Sequence, residues 1–380
     1  MNAQNTPVHI RLWHRDFWLM AVANLLLTMS VYMLIPTMPH WLAQEEGLTD
    51  LQTGLAMGAF GLGLFVLGGF VSYLVQRFRR NMVCVWAVLA TATLHAALYY
   101  FDTEYCRYAD ITLLVLQRFV LGAAFGLAQM VLSSTLIIDT CESYQRTEAN
   151  YAASWFGRFA ISLGPMAGLM VYRLANFDIV LLSAAGCAVV TALLILMVHF
   201  PFRTPEDEVQ KVGTDRFFLS QATPLFLYLV MVTIAVGLIF SVELSEHFYA
   251  MMMAGFLTAL LAQRFAFKNA ELKSEVVSGL ILMAAALLMM LTRTQQIVMY
   301  ASPLFIGFGI GVVAGVLGLK FYKEHQQGIN SRLSGLSGLY NRFVKAGEQD
   351  MDLNDLEAQK EHLEDLIAEA RHKAGQSENA

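Results

Sequence analysis

Arg118 is the residue whose position most demands a chemical explanation. It stands seven residues into an apolar run that opens at Ile111, with Gln117 beside it. Gln129 follows eleven residues later, three turns along the same helical face. A guanidinium in hydrocarbon is costly and is tolerated mainly in a protein interior or a wet cavity. Arg118 and Gln129 are therefore candidates for a cavity-lining stripe that binds an anion or couples to a proton carrier; the plainer reading has Arg118 snorkelling to the outer headgroups. Asn24, midway through the first apolar run, and Arg158, near the cytoplasmic end of the fifth, complete the candidate substrate and proton pathway. For Asn24 a helix-to-helix hydrogen bond is an equal alternative, and Arg158 could snorkel or pair with Asp139. His95 reads as a packed polar residue near the outer surface.

A second group lies between the runs. Gln76, Arg77, Arg79 and Arg80 follow the second run, and Asp139, Glu142 and Arg146 follow the fourth in the same membrane plane. Carboxylates and guanidiniums facing each other at a mouth can latch one conformation and release it. Gln76, Arg77, Arg79, Arg80, Asp139 and Arg146 are thus a candidate cytoplasmic gate, with a plain topology anchor as the competing account. Glycines crowd the second run, from Gly54 to Gly69, and Gly164, Pro165 and Gly168 mark the fifth as a candidate helix-bending motif. There is no GxxxxGK[ST] phosphate loop, no HExxH, no GxSxG and no Cys/His ligand set, so no catalytic residue, metal or cofactor is expected. Energy, if used, must come from an ion gradient.

The elements that position these residues are membrane helices. Of the 380 residues, 57% are apolar and 14% charged, with a mean hydropathy of +0.52, against about 45–50% and about 25% in soluble proteins. One water-soluble core cannot hide that excess. Four cysteines without CxxC or paired spacing exclude a disulfide scaffold, and a net charge of −5 gives no basis for nucleic acid as a partner. Runs of about 20 apolar residues, the length that spans a bilayer core, fall at 17–39, 52–75, 82–101, 111–138, 152–172, 179–200, 223–242, 247–263, 276–292 and 297–319. The first is too long for a cleaved signal peptide. The loops on one side carry twelve Lys and Arg and the alternate loops three (Arg107, Arg173 and Arg293), so both termini are expected in the cytoplasm.

The polar stretch 201–222 separates six spans from four. The expected organisation is an N-terminal half over 1–200, a cytoplasmic linker over 201–222, a C-terminal half over 223–322 and a cytoplasmic amphipathic tail over 323–380. The segment Gly69 to Phe78 echoes Gly255 to Phe265, as parallel transporter repeats would. In the tail, residues 330–345 read as an interfacial helix and the stretch from Asp352 as a solvated amphipathic helix.

At this point the chain resembles the major facilitator superfamily over residues of about 12–320. Asn24 through Tyr32, Pro36 and Pro39 look like that family's opening helix, and Ser72 to Arg80 resembles its loop motif G-x-x-x-D-R-x-G-R-R, with Ser72, Gln76 and Arg79 standing where Gly, Asp and Gly are usual. Arg118 with Gly122 resembles the span 4 pattern associated with proton coupling, and Gly164-Pro165-Met166-Ala167-Gly168 the span 5 motif of exporting antiporters. The resemblance implies an all-α, polytopic facilitator-type bundle of about ten spans (6 + 4) with a helical tail. It also implies secondary active, proton-coupled export of a small amphiphilic or anionic compound from a bacterial inner membrane by alternating access. Twelve spans are usual in that family. A second half of four leaves one side open, or completed by lipid, a homo-oligomer or a partner chain; the rival reading is a transport-inactive membrane protein that binds a ligand or partner through this half and the tail.

Overall fold

The computed structural model describes residues 12–102, 111–141, 146–200, 230, 233–234, 236–241, 244–265, 272–291 and 297–313. The chain groups into one unit over Met1–Phe321 and another over Tyr322–Ala380. The expectations for the linker 201–222, for residues 330–345 and for the helix from Asp352 lie outside the described residues.

The first expected span is longer than predicted and is interrupted. It forms α1 (Arg15–Tyr32) and α2 (Leu34–Gln44), parted at Met33. Pro36 and Pro39 have no N–H to give the carbonyls of Tyr32 and Ile35, which weakens the ladder at that point. The Thr37 hydroxyl donates to the Met33 carbonyl at 2.9 Å. The second span is also divided, into α3 (Asp50–Gly68) and α4 (Val71–Arg77). α3 opens with a capping box between Thr49 and Gln52 and stops at the Gly68-Gly69 pair, where helix is weakest.

α5 (Arg80–Asp102) and α6 (Ile111–Val131) follow. The fourth span does not continue as one regular helix to 138: a π-helical turn occupies Leu132–Leu136 before α7 (Ile137–Asp139). Here the Ser133 hydroxyl donates to the Gln129 carbonyl at 2.7 Å, a side-chain bond that competes with the backbone ladder. α8 (Arg146–Leu174) and α9 (Phe177–Leu196) cover the fifth and sixth expected runs. Further along the chain come a helical stretch at 236–241, α10 (Glu246–Phe265), α11 (Leu272–Met290) and α12 (Ile297–Val313).

Six of the described helices are long and apolar enough to cross a membrane: α1 with α2, then α3, α5, α6, α9 and α10. α8 is not among them although it is 29 residues long. It carries Arg158 and packs against α1, α2, α9 and α10, so protein rather than lipid covers much of it. One buried cluster joins α1, α5, α6, α8 and α9, and a second joins α8 to α10 and α12. Large exposed apolar side chains such as Phe65, Trp86 and Leu193 suit a surface solvated by lipid.

Small residues set the closest crossings. A Cβ at Gly63 would run into the Phe119 carbonyl, and one at Gly122 into the Phe60 carbonyl, so α3 and α6 touch backbone to backbone. The two echo segments fold differently. Gly69 lies in the break between α3 and α4, whereas Gly255 lies within the continuous α10, against Leu304 and Phe308 of α12.

Candidate functional site

The structure brings Asn24 and Gln129 together but keeps Arg118 apart. Gln129 donates through Nε2 to Asn24 Oδ1 at 2.9 Å, and Thr28 Oγ1 donates to Gln129 Oε1 at 3.3 Å. Asn24 Nδ2 in turn donates to the Ala153 carbonyl at 3.3 Å. Three helices, α1, α6 and α8, are thereby tied by one polar network. The helix-to-helix alternative for Asn24 is what the geometry displays. Arg118 lies three turns away, about 16 Å along α6 at about 1.5 Å per residue.

At Arg118 the surroundings differ. The side chain is 2% exposed, so it does not snorkel into open surroundings. Its guanidinium sits over the Phe60 ring at 5.3 Å, and its Nε and Nη1 reach no hydrogen-bond partner. Gln117 donates from Nε2 to the Leu94 carbonyl at 2.8 Å while its Oε1 has no partner. His95 is fully buried, with Nδ1 2.7 Å from the Thr91 carbonyl and Nε2 without a hydrogen-bond partner. A cation with two unsatisfied donors, buried between helices, requires a compensating anion or water.

Arg158 is 7% exposed, with its guanidinium 4.4 Å from the centre of the Trp155 ring. Trp155 faces Gly311 of α12. This places Arg158 where α8 meets the segments beyond the linker, along a stripe of contacts not anticipated from the sequence. Tyr151 Oη donates to Gln263 Oε1 at 2.9 Å, and Gln263 Nε2 donates to the Val312 carbonyl at 3.1 Å. Midway, the Ser162 hydroxyl bonds the Tyr249 carbonyl; at the far end Arg173 pairs with Glu246 at 2.9 Å. Tyr151, Ser162 and Arg173 are spaced eleven apart, three turns each, so one face of α8 carries all three. That spacing was the available signal. Glu275, 2% exposed at the start of α11, is a further buried carboxylate that hydropathy and loop charge do not single out.

Tyr151→Phe removes the hydroxyl that bridges α8 to α10 at the end where the basic loops gather. Amide hydrogen exchange over Arg146–Trp155 and Leu257–Phe265 is expected to quicken in that variant. Unchanged exchange would leave this contact without a role in closure.

Among the expected gate residues, Arg80 Nη1 pairs with Asp139 Oδ2 at 3.1 Å, with side-chain exposures of 24% and 9%. Both belong to the first six spans, so this pair braces the α4–α5 turn to the end of the fourth span and does not bridge the linker. Gln76 and Arg79 are exposed, Arg77 is half-buried, and Arg146 Nε is buried without a partner. A double-mutant cycle on Arg80→Ala and Asp139→Ala is expected to show a stability coupling of about 1 kcal/mol, the upper range for a partly exposed pair. A coupling indistinguishable from zero would remove the brace.

Gly164, Pro165 and Gly168 fall within α8, which runs through the proline as one helix. A Cβ at Gly164 would press on Tyr32, and one at Gly168 on the Met33 backbone. The motif therefore admits the α1–α2 junction against α8.

This arrangement of apolar helices and buried cations coincides with a recognised pattern. Residues 20–344 match the family model described as the Major Facilitator Superfamily. The chain belongs to that superfamily. Solved structures of major facilitator transporters share its fold. The human organic anion transporter MFSD10 (TETRAN) is 16% identical with a TM-score of 0.59, over 80% of this chain and 84% of that one. The inward open xylose transporter XylE from E. coli is 15% identical with a TM-score of 0.56, over 79% and 80%. The POT family transporter PepTSo is 11% identical with a TM-score of 0.51, over 92% of each chain. A comparison with curated proteins gives no match. As a superfamily member with a multi-pass helical fold, the protein is a membrane transporter.

Proposed function

We propose that this facilitator exports a small amphiphilic or anionic compound in exchange for protons, with both termini in the cytoplasm of a bacterial inner membrane. The observation that carries this reading is the Arg118 guanidinium, nearly fully buried in α6 with Nε and Nη1 unpartnered. A buried cation with no ion-pair partner among the described residues is poised to receive one, from an anionic substrate or a carboxylate that loses its proton during the cycle. The stripe on α8 supports alternating access by rocking of 1–200 against 223–322, because its polar contacts join the two segments. The Gly164-Pro165-x-x-Gly168 motif supports export as the direction.

Reconstitution into proteoliposomes with an imposed pH gradient tests the reading directly. Proton movement linked to flux of an amphiphilic or anionic test compound is the expected result. Flux that ignores the gradient across a broad compound set would overturn proton coupling, and binding without flux would overturn transport.

A further inference from the structure

His95, Gln117 and Arg118 are all buried at one level of the bundle, where α5 meets α6. Gln117 Nε2 donates to the Leu94 carbonyl at 2.8 Å, so residues 94 and 117 stand side by side, and His95 and Arg118 are the next residues along the two helices. Each hydrogen bond fixes what its side chain has left to offer, because a backbone carbonyl only accepts. Gln117 gives that carbonyl its Nε2, which leaves Oε1 as an acceptor with no partner among the described residues. His95 Nδ1, 2.7 Å from the Thr91 carbonyl, carries a hydrogen for the same reason, so the neutral ring presents a lone pair at Nε2, again without a partner. Arg118 supplies the complement. Its Nε and Nη1 are donors without partners, and Phe60 covers one face of the guanidinium at 5.3 Å. The four buried atoms divide evenly into two donors on a cation and two acceptors beside it.

We propose that this layer selects a hydroxylated carboxylate, with the carboxylate on Arg118 and the hydroxyls donating to Gln117 Oε1 and His95 Nε2. A plain carboxylate would satisfy the donors but bury both acceptors unpaired, which costs affinity. A zwitterionic amino acid could reach all four atoms, yet its ammonium would leave the buried Arg118 charge without net compensation. An acid with two hydroxyls balances the charge and pairs both acceptors. Gln117 and His95 are then the specificity-determining residues of the site that Arg118 anchors. This inference rests on the reading of Arg118 as the group that receives an anionic substrate, and it narrows that substrate to one chemical class.

The test uses the full-length protein purified in detergent and three acids on one carbon skeleton: propionate, lactate and glycerate, with no, one and two hydroxyls. Alanine serves as the zwitterionic comparison. Calorimetric titration is expected to show affinity rising several-fold with each hydroxyl, and alanine binding more weakly than lactate. Arg118→Ala should lose all three acids. His95→Asn keeps a donor near the position of Nδ1 but lacks Nε2, so it should shrink the lead of glycerate several-fold, whereas His95→Gln, whose amide can reach the place of Nε2, should retain more of it. Size-exclusion profiles establish that each variant is assembled. Equal affinity for the three acids, no binding of any of them, or a glycerate lead untouched by His95→Asn would overturn the substrate class. Proton-linked flux of other anions without a hydroxyl preference would overturn this class and leave the export reading standing. Graded binding of the three acids without proton-linked flux would support the class and overturn the export reading.

Discussion

Arg118→Ala is expected to leave the protein folded and inserted while cutting substrate-linked proton flux by at least about 30-fold, since removing one partner from a buried charge interaction costs about 2 kcal/mol or more. The separation of the two effects is the informative part. In the resting structure Arg118 makes a cation–π contact with Phe60 but leaves Nε and Nη1 without partners. Its removal therefore deletes an uncompensated buried charge rather than a satisfied one, and thermal stability in detergent should hold steady or rise. Lysine keeps the charge but loses the planar fork, so Arg118→Lys should recover little flux if the counter-charge is held in a bidentate manner. Stability and flux are measured on the same preparations. Undiminished flux in both variants would falsify the assignment of Arg118 to transport.

The second large effect lies in packing. Gly122→Ala is expected to prevent correct assembly or to lower the melting temperature sharply, because the new methyl would meet the Phe60 carbonyl of α3 directly. Backbone atoms cannot rotate aside, so the helices must part, and the overpacking cost is about 1–3 kcal/mol or more. Gly63→Ala should behave alike, since its Cβ meets the Phe119 carbonyl from the opposite side. Gly58 and Gly61 on the same α3 provide the internal control: a Cβ at either has nothing within 4 Å. Alanine there should be neutral or stabilising by up to about 1 kcal/mol, as alanine is the better helix former. Size-exclusion profiles and melting curves of the four variants distinguish the outcomes. Equal behaviour of Gly122→Ala and Gly58→Ala would mean that no such close crossing exists.

The distinction between Arg118 and Asn24 shows where sequence reasoning reached its limit. Both are polar residues in apolar runs, and hydropathy treats them alike. Asn24 finds Gln129 and the Ala153 carbonyl, partners over a hundred residues away in the chain, and its polarity is absorbed by a helix-to-helix network. Arg118 finds none for Nε and Nη1. The eleven-residue spacing of Arg118 and Gln129 does put them on one face of α6, yet a shared face over three turns is not a shared site.

Several features were legible without coordinates, because they depend on composition and local periodicity. The all-α membrane class follows from 57% apolar content and runs of bilayer length, which only helices can satisfy within one chain segment. Membership of the superfamily was legible in Arg118, Gly122 and the Gly164-Pro165 motif, and residues 20–344 match its family model. Tertiary structure alone decided the rest. It assigned Gly63 and Gly122 to a backbone contact and left Gly58 and Gly61 facing open space, although all four look equivalent in sequence. It paired Arg80 with Asp139, and it revealed the Tyr151–Gln263 link between residues more than a hundred positions apart in the chain. The physical reason is common to these cases: hydrophobicity and helix period are properties of a single segment, whereas a close approach, a hydrogen bond or an unpaired charge depends on what another segment brings within a few ångströms.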